Sequence, residues 1–261
     1  MSLTAEDLLF RWEPGAVPAV NGVSLELGPG ELVALVGPNG SGKSSLLALL
    51  AGWRRPEAGE VRLEGRPLAA FPPRERARRL AFLPQQVAPL YELTVAELVA
   101  TGRYPWLGGV PSPGPGDPAV RRALAAADLE PLADRPFGSL SGGERQRALV
   151  AATLAQEPRW LLLDEPTASL DLHHAVAIFR VLEASARDGL GVLVVTHDLN
   201  LAALFASRVV LLRGGRLEGL GPPEEVLTAE SLRRAYGPEV LVTVHPATGR
   251  PAVLPARGVA E

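Results

Sequence analysis

The chain has 261 residues, of which 47% are hydrophobic, a formal net charge of −3 and no cysteine. That length fits one large α/β domain or two modest lobes around a sizeable core. The weak acidity gives no global basic field for nucleic acid, and the missing thiols exclude disulfides, thiolate metal sites and iron–sulfur clusters.

Residues 1–14 lack the basic-then-apolar pattern of a signal peptide, and no apolar run reaches the roughly 18 residues of a membrane span. The expectation is a cytosolic protein, or one docked on a membrane protein. Asn, Gln and Met are scarce, which a thermophile or a GC-rich genome would produce equally well. Asn39, Gln85 and Gln146 stand out for that reason.

In chain order, Leu8–Leu27 reads as short, rather polar strands, and Val61–Leu68 as another, together predicting an antiparallel sheet. Leu32–Val36 is a short apolar run ending in glycine, the pattern of a buried strand. Gly37-Pro38-Asn39-Gly40-Ser41-Gly42-Lys43-Ser44 then fits the phosphate-loop spacing G-x-x-x-x-G-K-[ST]. Lys43 is the chain's only lysine, in a sequence that writes arginine at all other basic positions. A compact ammonium suits a phosphate cluster where a wide guanidinium does not. Ser44–Gly52 reads as a helix closed by glycine. Strand, glycine loop and helix together predict backbone N–H groups of Gly37–Gly42 converging on phosphate oxygens. Lys43 then lies on the β- and γ-phosphates, Ser44 on Mg2+ and Ser45 one residue behind.

Residues 87–140 read as mostly helical apart from an irregular Pro/Gly-rich stretch, Pro105–Pro118, taken as a spacer. Leu140-Ser141-Gly142-Gly143-Glu144 follows, with Ser141 as a natural N-cap ahead of a helix over Glu144–Ala155. This is a second anion-binding helix start. One nucleotide already has its phosphate loop, so the second site points to a nucleotide held by another copy of the chain. Trp160–Leu163 reads as a buried strand delivering Asp164 to Mg2+ and Glu165 to the attacking water as general base. A helix over Ala175–Arg187 leads to the strand Val192–Thr196 and then His197, within reach of the γ-phosphate if that strand lies in the same sheet. Val209–Leu212 is a further strand, closed by a turn at Arg213–Arg216.

With these motifs in this order the sequence resembles the ATP-binding cassette (ABC) ATPases along essentially its whole length. Leu140–Glu144 matches the signature LSGGQ with Glu144 in the Gln slot, a variant common in importers. Lys43 matches the Walker A lysine, Asp164 the Walker B aspartate and Glu165 the catalytic glutamate. Ser169-Leu170-Asp171 matches the D-loop, Gln85 the Q-loop glutamine and His197 the switch histidine. Where the family stacks a tyrosine on adenine, this chain offers Trp12, with Phe10 as the lesser candidate. The alternative for Trp12 is packing against the antiparallel sheet.

The resemblance implies an α/β, P-loop NTPase fold of ABC type, with a RecA-like core, an antiparallel β subdomain and an α-helical signature subdomain. In a single domain over 1–261, the core and β subdomain would take 1–86 and 156–236, the helical part about 87–155 and a tail 237–261. It implies Mg2+ held by Ser44, Gln85 and Asp164, with Glu165, His197 and Gln85 catalytic. It further implies a homodimer sandwiching two ATP molecules, each touching Lys43 of one copy and Ser141 and Gly143 of the other. Gly102–Trp106 and His245–Pro251 resemble segments of importer ATPases that serve ferric siderophores, haem and cobalamin, most nearly the ferrichrome type. Such a subunit lies on the cytoplasmic face of the inner membrane. It works with two integral-membrane permease subunits and, indirectly, a substrate-binding protein, with no nucleic-acid partner. Tyr104 and Trp106 are either packing aromatics or, if exposed, anchors for the permease. A stand-alone exporter subunit and a soluble cassette acting on nucleic acid or ribosomes are the competing readings.

Overall fold

A computed structural model describes residues 2–87, 92–107 and 114–256. Strands β1 (Leu3–Phe10) and β2 (Val20–Leu27) pair antiparallel, and β3 (Leu32–Val36) runs fully buried into the phosphate loop and helix α1 (Lys43–Leu50). Next come β4 (Ala58–Leu63), β5 (Arg66–Pro67), helix α2 (Pro73–Ala77) and β6 (Leu80–Leu83). Three helices follow, α3 (Val95–Thr101), α4 (Pro118–Ala126) and α5 (Gly142–Ala155). The chain then alternates β7 (Trp160–Asp164), α6 (Leu172–Arg187), β8 (Gly191–Val195), α7 (Leu199–Phe205) and β9 (Arg208–Arg213). It closes with β10 (Arg216–Gly221), α8 (Pro223–Val226), α9 (Ala229–Tyr236) and the hairpin β11 (Val240–Val244) and β12 (Pro251–Pro255).

The central sheet has six strands in the order β10-β9-β3-β8-β7-β6, parallel except for the β9–β10 hairpin. A strand covered on both faces is apolar at every position, which is why β3, β7 and β8 are legible as unbroken runs. Their side chains divide by a period of two. Val33, Leu35, Leu162, Leu193 and Val195 join α1 and the antiparallel sheet in one core. Ala34, Val36, Leu161, Leu163, Val192 and Val194 meet α6, α7 and α9 in another. A third core, built from Val95, Leu98, Val120, Leu124, Ala148 and Ala151, ties α3, α4 and α5 together.

The structure departs from the sequence reading in four places. The stretch Val61–Leu68 is not one strand. Glu64 and Gly65 take positive φ (54° and 78°), and the chain reverses from β4 into the short β5. β6 is a sixth strand of the central sheet that the pattern hid. Helix α5 begins at Gly142 rather than Glu144, because the Ser141 cap fixes the first turn over two poor helix formers. The C-terminal tail is a hairpin fastened to α7. Arg250 donates to the carbonyls of Ala203 and Ala206 at 2.8 Å, and Asn200 exchanges two hydrogen bonds with Val253. In the stretch read as a spacer, 108–113 fall outside the described residues. Of the rest, Tyr104–Trp106 forms a short 3-10 turn and Asp117 caps α4.

Candidate nucleotide site

β3, β7 and β8 are neighbours, so their C-terminal ends deliver Gly37, Asp164 and Thr196 to one edge of the sheet, the place where parallel α/β sheets bind ligands. The chain leaves β3 through glycines that nothing larger would replace. A Cβ on Gly37 would lie 2.3 Å from the Leu212 carbonyl, and one on Gly42, at φ 101°, would lie 2.1 Å from that of Ala19. Gly42 is also the N-cap of α1 and supplies no side-chain acceptor. The first amides of α1 therefore keep their donors for an anion.

Lys43 is 5% exposed, and its Nζ donates to the carbonyls of Gly37 (2.8 Å) and Pro38 (3.0 Å). Burial lowers its pKa, and the nearby carboxylates of Glu165 and Asp164 pull the other way. Ser44 donates to Asp164 Oδ1 at 3.2 Å. Burial pushes the Asp164 carboxyl up, against the hydrogen bond from Ser44. A solvent-facing serine hydroxyl beside a buried carboxylate offers hard oxygen donors of the kind Mg2+ takes, and a desolvated carboxylate gains most from a cation.

Glu165 has a left-handed backbone, φ 51°, a costly conformation for a residue with a side chain. It aims the carboxylate back across the sheet edge. Oε1 meets His197 Nε2 at 2.5 Å and Oε2 accepts from Gln85 Nε2 at 2.8 Å. In this arrangement Gln85 engages the glutamate through its amide nitrogen, not the Ser44–Asp164 pair assigned to it by the resemblance.

Trp12 is 58% exposed, with its indole N–H on Ser45 Oγ (3.1 Å), its ring edge-on to Phe10 and the Arg54 guanidinium 4.9 Å from its centroid. Packing thus orients the ring without covering it. Trp12, Asn39, Gly40–Ser45, Gln85, Glu165 and His197 line one cavity of about 650 Å3.

None of Leu140–Glu144 lines that cavity. Ser141 caps α5 by accepting from the Glu144 amide (3.3 Å), and Glu144 accepts from the Ser141 amide (2.7 Å). That backbone donor holds the Glu144 carboxyl below its usual value. The D-loop packs alongside. A Cβ on Gly143 would lie 2.0 Å from the His174 ring, and His174 is held by Asp171, the cap of α6. Gly142 faces Leu170. Signature and D-loop therefore form one surface, apart from the phosphate loop.

Tyr104 is 77% exposed and lines a cavity of about 550 Å3 with Leu93, Glu97 and Thr101. Trp106, 40% exposed, donates to the Gln156 carbonyl (2.8 Å) and has the guanidiniums of Arg78 and Arg103 about its ring. It is a packing aromatic first, with only an edge at the surface. Two contributors escaped the sequence reading. Arg54 reaches the Trp12 ring from the chain just past α1. Tyr236, at the end of α9, lies under the phosphate loop, where burial pushes its phenol up to about 12 against the pull of the Gly37 backbone. No local pattern marks either, because both contacts arise only from tertiary packing.

A glycine loop with a buried lysine, an acid at the end of the next strand and a glutamate beside it on a parallel sheet define a P-loop nucleoside triphosphatase. The family described as ABC transporter matches residues 20–168, and the chain belongs to that family as one of its ATPases. It is 47% identical to a hemin import ATP-binding protein, HmuV, of Nocardia farcinica, covering 98% of this chain and 90% of the relative. It is 45% identical to the protein of that name from Pseudomonas aeruginosa, over 97% and 99% of the two chains. Among solved structures it is similar to an inward-facing ABC transporter of putative metal-chelate type (TM-score 0.80, 27% identity, 97% of each chain). A dimeric ATP-binding cassette with ADP and phosphate bound is also similar (TM-score 0.72, 28% identity, 84% of this chain and 98% of that one).

Proposed function

We propose that this chain is the ATP-hydrolysing subunit of an importer for haem or a related iron chelate. It works as a homodimer on two copies of a separate permease, at the cytoplasmic face of the membrane. The observation that carries the chemistry is Glu165, held between Gln85 and His197 beside the loop of Lys43. The substrate class rests on the resemblance to hemin import and metal-chelate proteins.

Adenine stacks on Trp12, and the amides of Gly37–Gly42 with Lys43 cradle the phosphates. Lys43 exchanges the Gly37 and Pro38 carbonyls for phosphate oxygens as nucleotide enters. Ser44 and Asp164 hold Mg2+, which when bound neutralises phosphate charge. Glu165 orients a water and takes its proton as the oxygen attacks the γ-phosphorus. The bond to the bridging oxygen breaks, leaving ADP and phosphate, while His197 steadies the glutamate and the phosphate oxygens. Ser141 and Gly143 of the second copy close the site over the γ-phosphate. Their loss of that contact after hydrolysis opens the pair, a shift driven by differential contacts. Tyr104 and the exposed edge of Trp106 lie on the surface offered to the permease.

The test is reconstitution with the permease and stimulation of ATP hydrolysis by loaded binding proteins. Haem-loaded protein is expected to stimulate most. Equal or greater stimulation by a ferric siderophore or cobalamin reassigns the substrate. ATP-driven movement outward restores the exporter reading.

A further inference from the structure

We infer that the cavity at the C-terminal end of α1 is a second anion site, which takes a phosphate group on three arginines, Arg54, Arg55 and Arg76. It shares no lining residue with the nucleotide cavity and does not depend on the importer reading.

The cavity, of about 620 Å3, lies between the end of α1, β4, β5 and α2. Leu49, Leu68 and Phe71 give it a buried apolar wall. Its charged lining is Arg54, Arg55 and Arg76, with Glu60 as the one carboxylate among the described residues. Glu60 is taken by Arg62 at 2.7 Å. The acids just outside the cavity are taken too. Glu57 holds Arg11 at 2.5 Å, and Glu75 lies between Arg79 (3.3 Å) and Arg66 (3.5 Å). What remains is a local surplus of positive charge in a chain whose net charge is −3.

The three guanidiniums keep their donors. In and just after α2, Arg74 and Arg78 each donate to the Pro105 carbonyl at 2.9 Å, and Arg79 donates to Glu64 at 3.1 Å. Arg76 alone in that run has no hydrogen-bond or ion-pair partner among the described residues. Yet it is half-buried, with its guanidinium over Gly52 beside Leu68. A cation drawn out of water without a partner is costly, and a phosphate oxygen removes that cost. Arg55 is exposed and likewise without a partner among the described residues. Arg54 rests by its face on the Trp12 ring, 4.9 Å from the centroid, which leaves its N–H edge free. A planar guanidinium presents paired donors that match phosphate oxygens. Three of them on one cavity offer more donors than a single carboxylate can accept, whereas a phosphate group has the oxygens to use them. The apolar wall lies beside them, where an organic body attached to the phosphate would pack.

The test uses the full chain with its phosphate loop saturated by ADP. Inorganic pyrophosphate, followed by titration calorimetry, probes for a free phosphate ligand. Flotation with phosphatidylglycerol vesicles, against phosphatidylcholine vesicles, probes for a lipid headgroup. Pyrophosphate is expected to bind at one further site, and Arg76→Gln and Arg55→Gln should each weaken that binding by about tenfold, the worth of a charge-assisted hydrogen bond. Arg180→Gln removes the same charge from an exposed position on α6 and should change it by less than about twofold. ADP affinity, measured first, should match the parent in all three variants and so report an intact fold. Binding to phosphatidylglycerol vesicles that depends on Arg76 and Arg55 assigns the phosphate to a lipid headgroup, and pyrophosphate binding alone assigns it to a free ligand. Either result upholds the site. No binding in either arm, or equal loss in Arg180→Gln, overturns it.

Discussion

The two helix starts proposed above to meet nucleotide phosphates are built in opposite ways. At α1 the N-cap is Gly42, which offers no side-chain acceptor, and the charge at the site is the buried Lys43. At α5 the N-cap is Ser141, locked with Glu144 in a reciprocal capping box, and the charge at the site is a carboxylate. A bare helix terminus with a cation is a finished phosphate site. A capped terminus with an acid is stable alone and must trade part of that arrangement for a phosphate. The first half is therefore expected to bind nucleotide in a single copy. On the reading proposed above, the second responds when another copy presents a γ-phosphate, which would confine hydrolysis to the assembled pair.

That contrast can be broken in several ways. Glu165→Gln should cut turnover by roughly 10²–10⁴-fold, the usual worth of a general base, while leaving nucleotide affinity in place and trapping an ATP-bound dimer on gel filtration. A variant that hydrolyses at the normal rate removes Glu165 from the chemistry. Ser141→Arg should abolish turnover by blocking the second half, with ATP affinity of the monomer, measured by equilibrium nucleotide binding, within about twofold of the parent because α1 is untouched. Loss of both in parallel would place the two helix starts in the same half-site.

Tyr236 sharpens the contrast on the α1 side. Its folded pKa of about 12 lies above the unfolded value of 10.0, so its contribution is complete below pH 10 and is lost as pH rises through 12. Unfolding in denaturant should show roughly 2–3 kcal/mol less stability across that window, and Tyr236→Phe should lack this slope. The smallest effect belongs to Glu144→Gln. It keeps a side-chain oxygen for the Ser141 amide and deletes the negative charge, so dimerisation with MgATP should strengthen by about two- to fivefold, and less at high salt. A weaker dimer would show that the carboxylate itself helps to receive the second nucleotide.

Legibility in the sequence followed burial. β3, β7 and β8 are covered on both faces and read directly as apolar runs. The phosphate loop reads from its glycines, since Gly37 and Gly42 have no room for a Cβ. β6 is four residues long at the sheet edge, directly after Arg78 and Arg79, too short for a period to emerge. The hairpin was hidden because β11 and β12 are half exposed and β12 is only five residues long with proline at both ends. Motif residues were findable one by one, but their pairings were not. That Gln85 turns its amide to Glu165, that Asp171 holds His174 against Gly143, and that Tyr236 sits under Gly37 are facts of chain crossing, with separations in sequence that no local spacing encodes.

The hold of the Gly37 and Pro38 carbonyls on Lys43 has a consequence for selectivity. Nucleotide capture is a ligand exchange around one ammonium, in which two charge-assisted bonds are surrendered before new ones form. Two neutral carbonyls set a threshold that an incoming molecule must exceed. On the proposed reading a triphosphate clears it with several anionic oxygens, a monophosphate offers fewer, and a nucleoside offers none. On that reading the loop selects nucleotides by charge before adenine recognition contributes.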